Sequence, residues 1–256
     1  MPRPAVHPAA AAFDRVGEEY ERGRPSFPAD AVACLVEALR IERGRTVLDL
    51  AAGTGKLTRL LADTGARVVA VEPADGMRRR LERSLPEVVA LGGTAEAIPL
   101  GGGTVDAVTV AQAFHWFDGD AALAEIHRVL VPGGRLGLVW NGREERERWQ
   151  AKLGRIMESR RGDTPRYLNG GWRTAFDRTS LFGPLRHARF EIVHELEPEA
   201  VVDRVLSVSF VAALPAEERA QVAMEVSGLL ASDPATRGHA RVELPYSTDV
   251  YWCERV

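Results

Sequence analysis

The sequence predicts an α/β fold with a parallel β-sheet, and three observations support this class. A short apolar segment, Thr46–Leu50, is followed by the small residues of a glycine turn and then by a helical pattern from Lys56. Two more segments, Arg67–Pro73 and Val105–Val110, are apolar and β-leaning in the same way. Helical patterns separate them, as is typical of a parallel sheet covered by helices. A strand, a tight glycine turn and a helix together open many nucleotide-binding α/β folds.

The elements follow from apolar spacing and from their stop signals. In the first half we expect helices and strands in this order: helix Pro28–Ile41, strand Thr46–Leu50, helix Lys56–Thr64, strand Arg67–Pro73, helix Asp75–Leu85, strand Val88–Leu91, strand Val105–Val110, helix Asp120–Leu130 and strand Leu136–Trp140. The second half predicts helix Glu144–Arg160, a loop over 161–184, strand Arg189–Leu196, helices Val201–Leu214 and Ala216–Ala231, and a strand pair, Val242–Tyr246 and Asp249–Arg255, joined by a turn at Tyr246–Asp249.

Composition limits the classes of function. The 256 residues suffice for one well-filled domain with an added cap, and 45% hydrophobic and 27% charged residues are ordinary for a soluble protein. A net charge of −3 gives no electrostatic reason to expect nucleic acid or an anionic membrane as partner. Cys34 and Cys253 lack the spacing of a metal or redox site. We therefore expect a cytoplasmic monomer or homodimer without a metal.

The glycine turn carries the main functional signal. A phosphate loop of the nucleotide triphosphatases needs a glycine five positions before Gly55, where this chain has Leu50. A dinucleotide fingerprint needs a third glycine, and Thr58 stands there. Asp49 ends the preceding strand, and its carboxylate suits a ligand with an ammonium or a sulfonium better than a pyrophosphate. The turn therefore points away from NAD and towards S-adenosylmethionine.

The segment VLDLAAGTGKLT resembles motif I of the class I S-adenosylmethionine-dependent methyltransferases, typically VLDxGxGxG, and departs from it at Ala51. The wider resemblance covers about residues 13–140. It is strongest to small-molecule methyltransferases of the trans-aconitate-methyltransferase-like and ubiquinone-biosynthesis-like group. It implies a Rossmann-like, doubly wound, seven-stranded and mostly parallel sheet with an antiparallel last strand and helices on both faces. It also implies one domain over 1–256, with an N-terminal tail and lid at 1–30, a cofactor-binding core at 31–141, and a substrate-side, partly helical cap with the closing strands at 142–256.

The cofactor site is expected at the strand ends. Glu72 ends the second strand, where an acid can accept hydrogen bonds from both ribose hydroxyls. By resemblance, Tyr20 covers the cofactor and Arg24 holds its methionine carboxylate, for which an arginine fork is apt. In the family's G-D-A-E-x-[LI]-P segment Thr94 replaces the aspartate, which leaves Ala95 and Glu96 to meet the adenine. The full set of expected cofactor residues is Tyr20, Arg24, Asp49, Ala51, Gly53, Gly55, Glu72, Pro73, Met77, Thr94, Ala95, Glu96, Ala111 and Gln112.

The acceptor side is expected after the fourth strand, where His115 and Trp116 would face the transferable methyl. His115 is the candidate general base, and the alternative is that it belongs to an aromatic wall. Aromatic residues that could line the acceptor pocket are Trp140, Trp149, Tyr167, Trp172 and Phe210. An acidic acceptor could instead use arginines of the cap, although nothing in the sequence selects one.

The predicted reaction is in-line displacement at the sulfonium methyl: an oxygen or nitrogen nucleophile of a small molecule, such as a carboxylate or a phenol, accepts the methyl, and S-adenosylhomocysteine leaves. Two alternatives stay open from the sequence. One is a non-catalytic S-adenosylmethionine-binding protein, which the departures at Ala51 and Thr94 allow. The other is a nicotinamide-dependent oxidoreductase, which the missing third glycine and Asp49 disfavour.

Overall fold

The computed structural model describes residues 26–256, and its centre is a seven-stranded β-sheet. The strands are β1 (Thr46–Leu50), β2 (Arg67–Val71), β3 (Val89–Leu91), β4 (Val105–Ala111), β5 (Leu130–Arg143), β6 (Arg186–Leu196) and β7 (Val242–Glu254). Their order in the sheet is β3-β2-β1-β4-β5-β7-β6. The pairs among β1 to β5 are parallel, whereas β7 is antiparallel to both β5 and β6. The predicted doubly wound, mostly parallel sheet with an antiparallel last strand is confirmed.

Helices cover both faces because successive residues of the central strands are apolar. Helices α1 (Ala29–Leu39), α2 (Lys56–Ala62) and α3 (Asp75–Ser84) pack on one face, and α4 (Gly119–Val129) packs on the other. Along β1, Val47 belongs to the apolar cluster of the first face and Leu48 to that of the second. The winding of the sheet reverses between β1 and β4, so the carboxyl ends of these strands diverge into a crevice.

The second half of the chain adds a cap beside β6 and β7. Its helices are α5 (Arg148–Glu158), α6 (Thr174–Arg178), α7 (Pro198–Leu206), α8 (Ser209–Ala212) and α9 (Ala216–Ser232). A third apolar cluster, which includes Trp149 of α5, Val205 of α7 and Val226 of α9, joins α5, α7, α8 and α9 to Leu244 and Tyr246 of β7. The cap is therefore packed on the sheet through its last strand. Helix α6 packs instead in the apolar cluster of the second face of the sheet. None of the helices within residues 26–256 is long and apolar enough to cross a membrane.

Four sequence predictions about elements are corrected. The expected loop over 161–184 contains helix α6. The expected turn at Tyr246–Asp249 is wrong, because β7 continues through it while pairing with β5 on one side and β6 on the other. The expected helix Val201–Leu214 is two helices, α7 and α8. The fifth strand is longer than Leu136–Trp140, and the Pro-Gly-Gly sequence lies where its register with β4 shifts. The predicted lid helix, with Tyr20 and Arg24, falls outside the described residues. The predicted boundary after residue 141 falls within β5 and stays a prediction.

Asp49 joins three elements at the point where the sheet reverses. Its side chain is fully buried, and it accepts hydrogen bonds from the hydroxyl of Thr58 on α2 at 2.6 Å and from that of Thr109 on β4 at 3.0 Å. Burial raises the pKa of Asp49 to about 6, while the bonds from Thr58 and Thr109 act in the opposite direction. The carboxylate thus ties the end of β1 to the helix that follows it and to the neighbouring strand.

The turn after β1 requires left-handed backbone at three positions. The φ angles are 57° at Ala51, 60° at Gly53 and 88° at Gly55. Gly55 also lies against α3, since a Cβ there would come within 3.1 Å of side-chain carbons of Leu81 and Leu85. Both glycines therefore meet a backbone requirement, as their place in the motif indicates. Ala51 adopts the same conformation with a side chain, which is less favourable by about 1–2 kcal/mol.

The buried Asp49 predicts a specific pH dependence of stability. The pKa is raised in the folded protein from an ordinary value of 3.8 to about 6, so the folded state binds more protons than the unfolded state between these values. The free energy of unfolding therefore falls as the pH rises through this window. In Asp49→Asn we expect that fall, measured between pH 5 and pH 7 by urea unfolding, to be smaller by about 1 kcal/mol than in the wild type. Asp163→Asn removes an exposed carboxylate and is the control. Equal pH slopes in wild type and Asp49→Asn would contradict the assignment.

Two alanine-to-glycine substitutions, at Ala51 and at Ala52, test the backbone strain at Ala51. Ala51→Gly removes the left-handed penalty and should leave the free energy of unfolding unchanged or raise it by up to about 1 kcal/mol. Ala52→Gly changes a neighbour whose φ is not positive, so it should lower that free energy by about 0.4–1 kcal/mol. Urea unfolding of the two variants measures the difference. Ala51→Gly as destabilising as Ala52→Gly would show that no strain is present.

Candidate active site

Two adjoining cavities open beyond the carboxyl ends of the central strands, where ligands bind in open α/β sheets. The first, called here the turn cavity, is lined by Phe27, Ala51, Ala52, Gly53, Thr54, Lys56, Leu57, Ala111, Gln112, Asn141 and Arg204. The second, called the cap cavity, is lined by Gln112, His115, Trp116, Asn141, Gly142, Arg143, Glu145, Met157, Glu158, Arg161, Pro165, Arg166, Tyr167, Leu168, Arg204, Val208, Ser209 and Phe210. The two share Gln112, Asn141 and Arg204, so a group bound in one borders the other.

The border between the cavities is rigidly built. Gln112 directly follows β4 with φ at 58°, an uncommon conformation for a residue other than glycine. Its backbone N–H donates to the Val139 carbonyl at 2.8 Å, and its side-chain amide donates to the Asn141 carbonyl at 3.2 Å. The Asn141 carboxamide oxygen in turn accepts from the Thr248 hydroxyl at 2.7 Å. Strained backbone held in this way concentrates at functional sites.

Glu72 directly follows β2, which ends at Val71, and lies beside the glycine turn. One carboxylate oxygen accepts from the Gly53 N–H at 2.8 Å, and the other accepts from the Ala74 N–H at 2.8 Å. These two bonds orient the carboxylate beside the glycine turn. Met77 lies over the same turn, because a Cβ at Gly53 would stand 3.8 Å from its sulfur. Pro73, half-buried, carries the chain from Glu72 into α3.

The other expected cofactor residues divide into two groups. Ala51, Gly53, Ala111 and Gln112 line the turn cavity. Asp49 does not, since its buried carboxylate is bonded to Thr58 and Thr109; the structure gives it a supporting position rather than the expected direct contact. After β3, Ala95 is buried and Glu96 accepts from the Asp118 N–H at 3.0 Å. The Thr94 hydroxyl is buried without a hydrogen-bond partner in the described part of the chain.

His115 lies on a single 3-10 turn, Phe114–Trp116, and borders the cap cavity with Trp116. The indole N–H of Trp140 donates to Nδ1 of His115 at 3.2 Å. Because an indole N–H can only donate, Nδ1 has to accept, and the proton of the neutral imidazole is assigned to Nε2. A general base would need an available lone pair on the ring. The geometry therefore favours His115 as a wall residue or hydrogen-bond donor over His115 as a base.

The five aromatic residues expected around the acceptor have different positions. Phe210 lines the cap cavity, whereas Trp149 is buried in the apolar cluster of the cap and does not line the cavity. Trp140 and Trp172 are 0% and 8% exposed and belong to the core, so they support the wall of the cavity and do not line it as predicted. Tyr167 lines the cap cavity and stacks on Trp140 with ring centroids 4.5 Å apart. Its hydroxyl donates to Asp249 at 2.8 Å. That bond and the burial of the ring orient the phenol towards β7.

Sequence reasoning did not identify the arginines of the cap cavity. These are Arg143, Arg161, Arg166 and Arg204. Arg143 ends β5 and could have been selected by the strand-end rule that selected Glu72. The other three are separated along the chain, and no local pattern in the sequence distinguishes them from surface arginines. Residues 26–256 contain no cluster of three or more His, Cys, Asp or Glu side chains that could hold a metal ion.

Comparisons with known proteins agree on one family. A family model described as a methyltransferase domain matches residues 48–138. An uncharacterized methyltransferase of Mycobacterium tuberculosis (strain ATCC 25618 / H37Rv) is 46% identical over 232 residues, which are 90% of this chain and 89% of the relative. The demethylmenaquinone methyltransferase of Beutenbergia cavernae is 35% identical over 145 residues, which are 53% of this chain and 60% of the relative.

A solved structure has the same architecture. It is assigned as a type II methyltransferase, from Anaeromyxobacter dehalogenans, and is 25% identical with a TM-score of 0.69 over 91% of this chain and 97% of that chain. The family expected from the sequence motif is thus confirmed by a relative similar over most of the chain and by a matching fold. The chain belongs to the class I S-adenosylmethionine-dependent methyltransferases.

Proposed function

We propose that this methyltransferase binds S-adenosylmethionine along the glycine turn and transfers its methyl group to a small molecule held in the cap cavity. The observation that carries the proposal is the shared border of the two cavities at Gln112, Asn141 and Arg204. A donor in the turn cavity and an acceptor in the cap cavity would meet at that border. The border residues follow β4 and β5, at the sheet edge where such folds bind ligands.

The residues present fit the cofactor. The oriented carboxylate of Glu72 can accept from two ribose hydroxyls, and it would repel the 2′-phosphate of other nucleotides. Ala51 and Gly53 expose backbone to the turn cavity. Thr54 lines that cavity with a buried hydroxyl that has no partner within residues 26–256 and that a ligand could satisfy. Lys56 brings positive charge to the same cavity, where a methionine carboxylate would be favourable.

The protein contributes mainly orientation to the reaction. S-adenosylmethionine, when bound, supplies a methyl on a sulfonium centre; an oxygen or nitrogen nucleophile can bond to that methyl in line with the S–C bond, which breaks to release S-adenosylhomocysteine. Holding two reactants in the reactive arrangement can contribute about 7–11 kcal/mol. Gln112 and Asn141 suit that task because hydrogen bonds fix both. His115 presents its ring to the acceptor side and, held by Trp140, serves as a wall or as a donor to an acceptor oxygen.

The similarity to known relatives supports a small-molecule acceptor without identifying it. The relative named for demethylmenaquinone methylation matches 53% of this chain. The acceptor side of the site depends on the cap, in particular on α5, α7 and the loop between α5 and α6. We therefore take from that relative the class of acceptor, a small organic molecule, and not its identity.

Substitution of Glu72 tests the cofactor assignment. Glu72→Gln places an amide donor where a ribose hydroxyl should be accepted, and we expect the dissociation constant for S-adenosylhomocysteine, measured by calorimetry, to rise at least 10-fold. Glu87→Gln changes an exposed glutamate before β3 that lines neither cavity, and it is the control. NAD should bind neither variant nor the wild type. Unchanged affinity in Glu72→Gln, with wild-type circular dichroism, would show that this carboxylate does not hold the ribose.

Substitution of His115 separates its two roles. For a wall or donor residue we expect His115→Gln to lower kcat less than about 10-fold, whereas loss of a general base lowers it by about 10²–10⁴. Turnover is followed as S-adenosylhomocysteine formed from a panel of carboxylates, phenols and amines. Trp140→Phe, which removes the bond to Nδ1, should change kcat no more than His115→Gln does. A loss above 10²-fold in His115→Gln, with cofactor affinity intact, would establish a base.

A further inference from the structure

Arg204 projects from α7 to the border of the two cavities. Its neighbours Val201 and Val205 are buried in the cap cluster, so the helix is fixed on that side. The Nε–H of Arg204 donates to the Tyr246 hydroxyl at 3.1 Å, and the guanidinium lies 5.9 Å from the centre of the Tyr246 ring. The position of the guanidinium is therefore held before any ligand arrives.

The two glutamates that line the cap cavity accept hydrogen bonds from arginines other than Arg204. Glu158 accepts two bonds from Arg161, at 2.8 Å and 2.6 Å, and a third from Arg166 at 3.3 Å. Glu145 accepts from Arg143 at 3.1 Å. With four arginines and two glutamates, the lining carries an excess of two positive charges.

Arg204 is the arginine of this lining that has no acid partner among residues 26–256. No carboxylate of that part of the chain lies within ion-pair distance of it, and its Nη1 is buried without a hydrogen-bond partner there. A buried donor without an acceptor has lost its hydrogen bonds to water, which raises the free energy of the folded protein. The penalty is larger when the donor belongs to a charged group. An anion at this position would supply the missing acceptor.

A second cation nearby strengthens the case for an anion. Arg143 is opposite Tyr246 in the pairing of β5 with β7, and its side chain is only 14% exposed. Burial lowers the pKa of Arg143, Glu145 and Tyr246 act in the opposite direction, and the neighbouring charge of Arg204 acts in the same direction as burial. Two like charges held this close repel each other, and a negative ligand between or beside them removes that repulsion.

A carboxylate at Arg204 could come from the acceptor or from the methionine part of the cofactor, since Arg204 borders both cavities. The positions of the other cations separate these sources. Arg143 lines only the cap cavity, whereas Lys56 lines only the turn cavity. The pair Arg143 and Arg204 therefore faces the acceptor, and Lys56 remains on the side of the cofactor.

We propose that Arg204 binds the carboxylate of an acidic acceptor, and that the acceptors of this enzyme are small carboxylic acids with a compact apolar body. The apolar body would contact Met157, Tyr167, Leu168, Val208 and Phe210, which line the same cavity. The carboxylate is the recognition group, whichever acceptor atom receives the methyl. This inference rests on the proposed function, because it requires the cap cavity to be the acceptor site.

The test compares carboxylic acids with their primary amides. Benzoate, 3-phenylpropanoate and hexanoate, each beside the amide of the same body, are titrated by calorimetry into protein saturated with S-adenosylhomocysteine. At least one acid should bind 10-fold or more tightly than its amide in the wild type. Arg204→Gln should abolish that preference, and Arg204→Lys should restore part of it. Arg237→Gln, an exposed arginine that lines neither cavity, is the control and should keep the preference.

Two outcomes would overturn the proposal. The first is that no acid is preferred over its amide in the wild type, or that the preference survives in Arg204→Gln. The second is that Arg204→Gln weakens S-adenosylhomocysteine binding 10-fold or more, which would assign the guanidinium to the cofactor's carboxylate. We expect that affinity to change less than 3-fold. Failure of the wild type to bind S-adenosylhomocysteine would instead refute the proposed function, so the two failures are distinguishable.

Discussion

The shape of the site depends on the buried carboxylate of Asp49, which accepts its hydrogen bonds from other residues of the protein and needs no ligand as a partner. Asp49 stands where the sheet reverses its winding, and its two hydrogen bonds join β1 to α2 and to β4. A charge so deeply buried is tolerated only with such partners. These bonds fix where the glycine turn begins and where the adjacent strand ends. The turn cavity lies between the glycine turn and the end of β4. Its shape therefore depends on the hydrogen bonds of Asp49, although Asp49 does not line the cavity.

Strain occurs on both sides of that cavity. Ala51 and Gln112 are non-glycine residues with positive φ, and they end neighbouring strands of the sheet. Each adopts a conformation that the isolated chain would avoid, and the surrounding hydrogen bonds maintain it. Such positions keep the backbone close to a bound ligand without movement on binding. The resulting preorganisation suits an enzyme whose main contribution is to orient two reactants.

The parts of the molecule that follow from local rules could be predicted from the sequence. The parallel core, the left-handed glycines and the position of Glu72 were predicted, because strand ends and glycine turns have local signatures. The continuity of β7 was not predicted. The segment Tyr246–Asp249 has the residues of a turn, and only its pairing with β5 on one side and β6 on the other makes it a strand. Trp140 and Trp172 were taken for cavity wall because aromatic residues suit both positions equally. Arg204 could not be identified, since its role depends on which acids the other arginines use.

The place of β7 in the sheet has a consequence for how the protein matures. This strand comes after the other six in sequence, yet it lies between β5 and β6 and supplies Asp249 to the phenol of Tyr167. During synthesis the edge of β5 therefore stays unpaired until the much later β7 segment has been made. Unpaired strand edges favour association with other chains. The parallel part of the sheet, β1 to β5, can assemble early, but the cap is fixed to the sheet only when β7 inserts. The cap cavity can therefore be complete only after β7 has been synthesised, and protection of the β5 edge until then is a requirement of this topology.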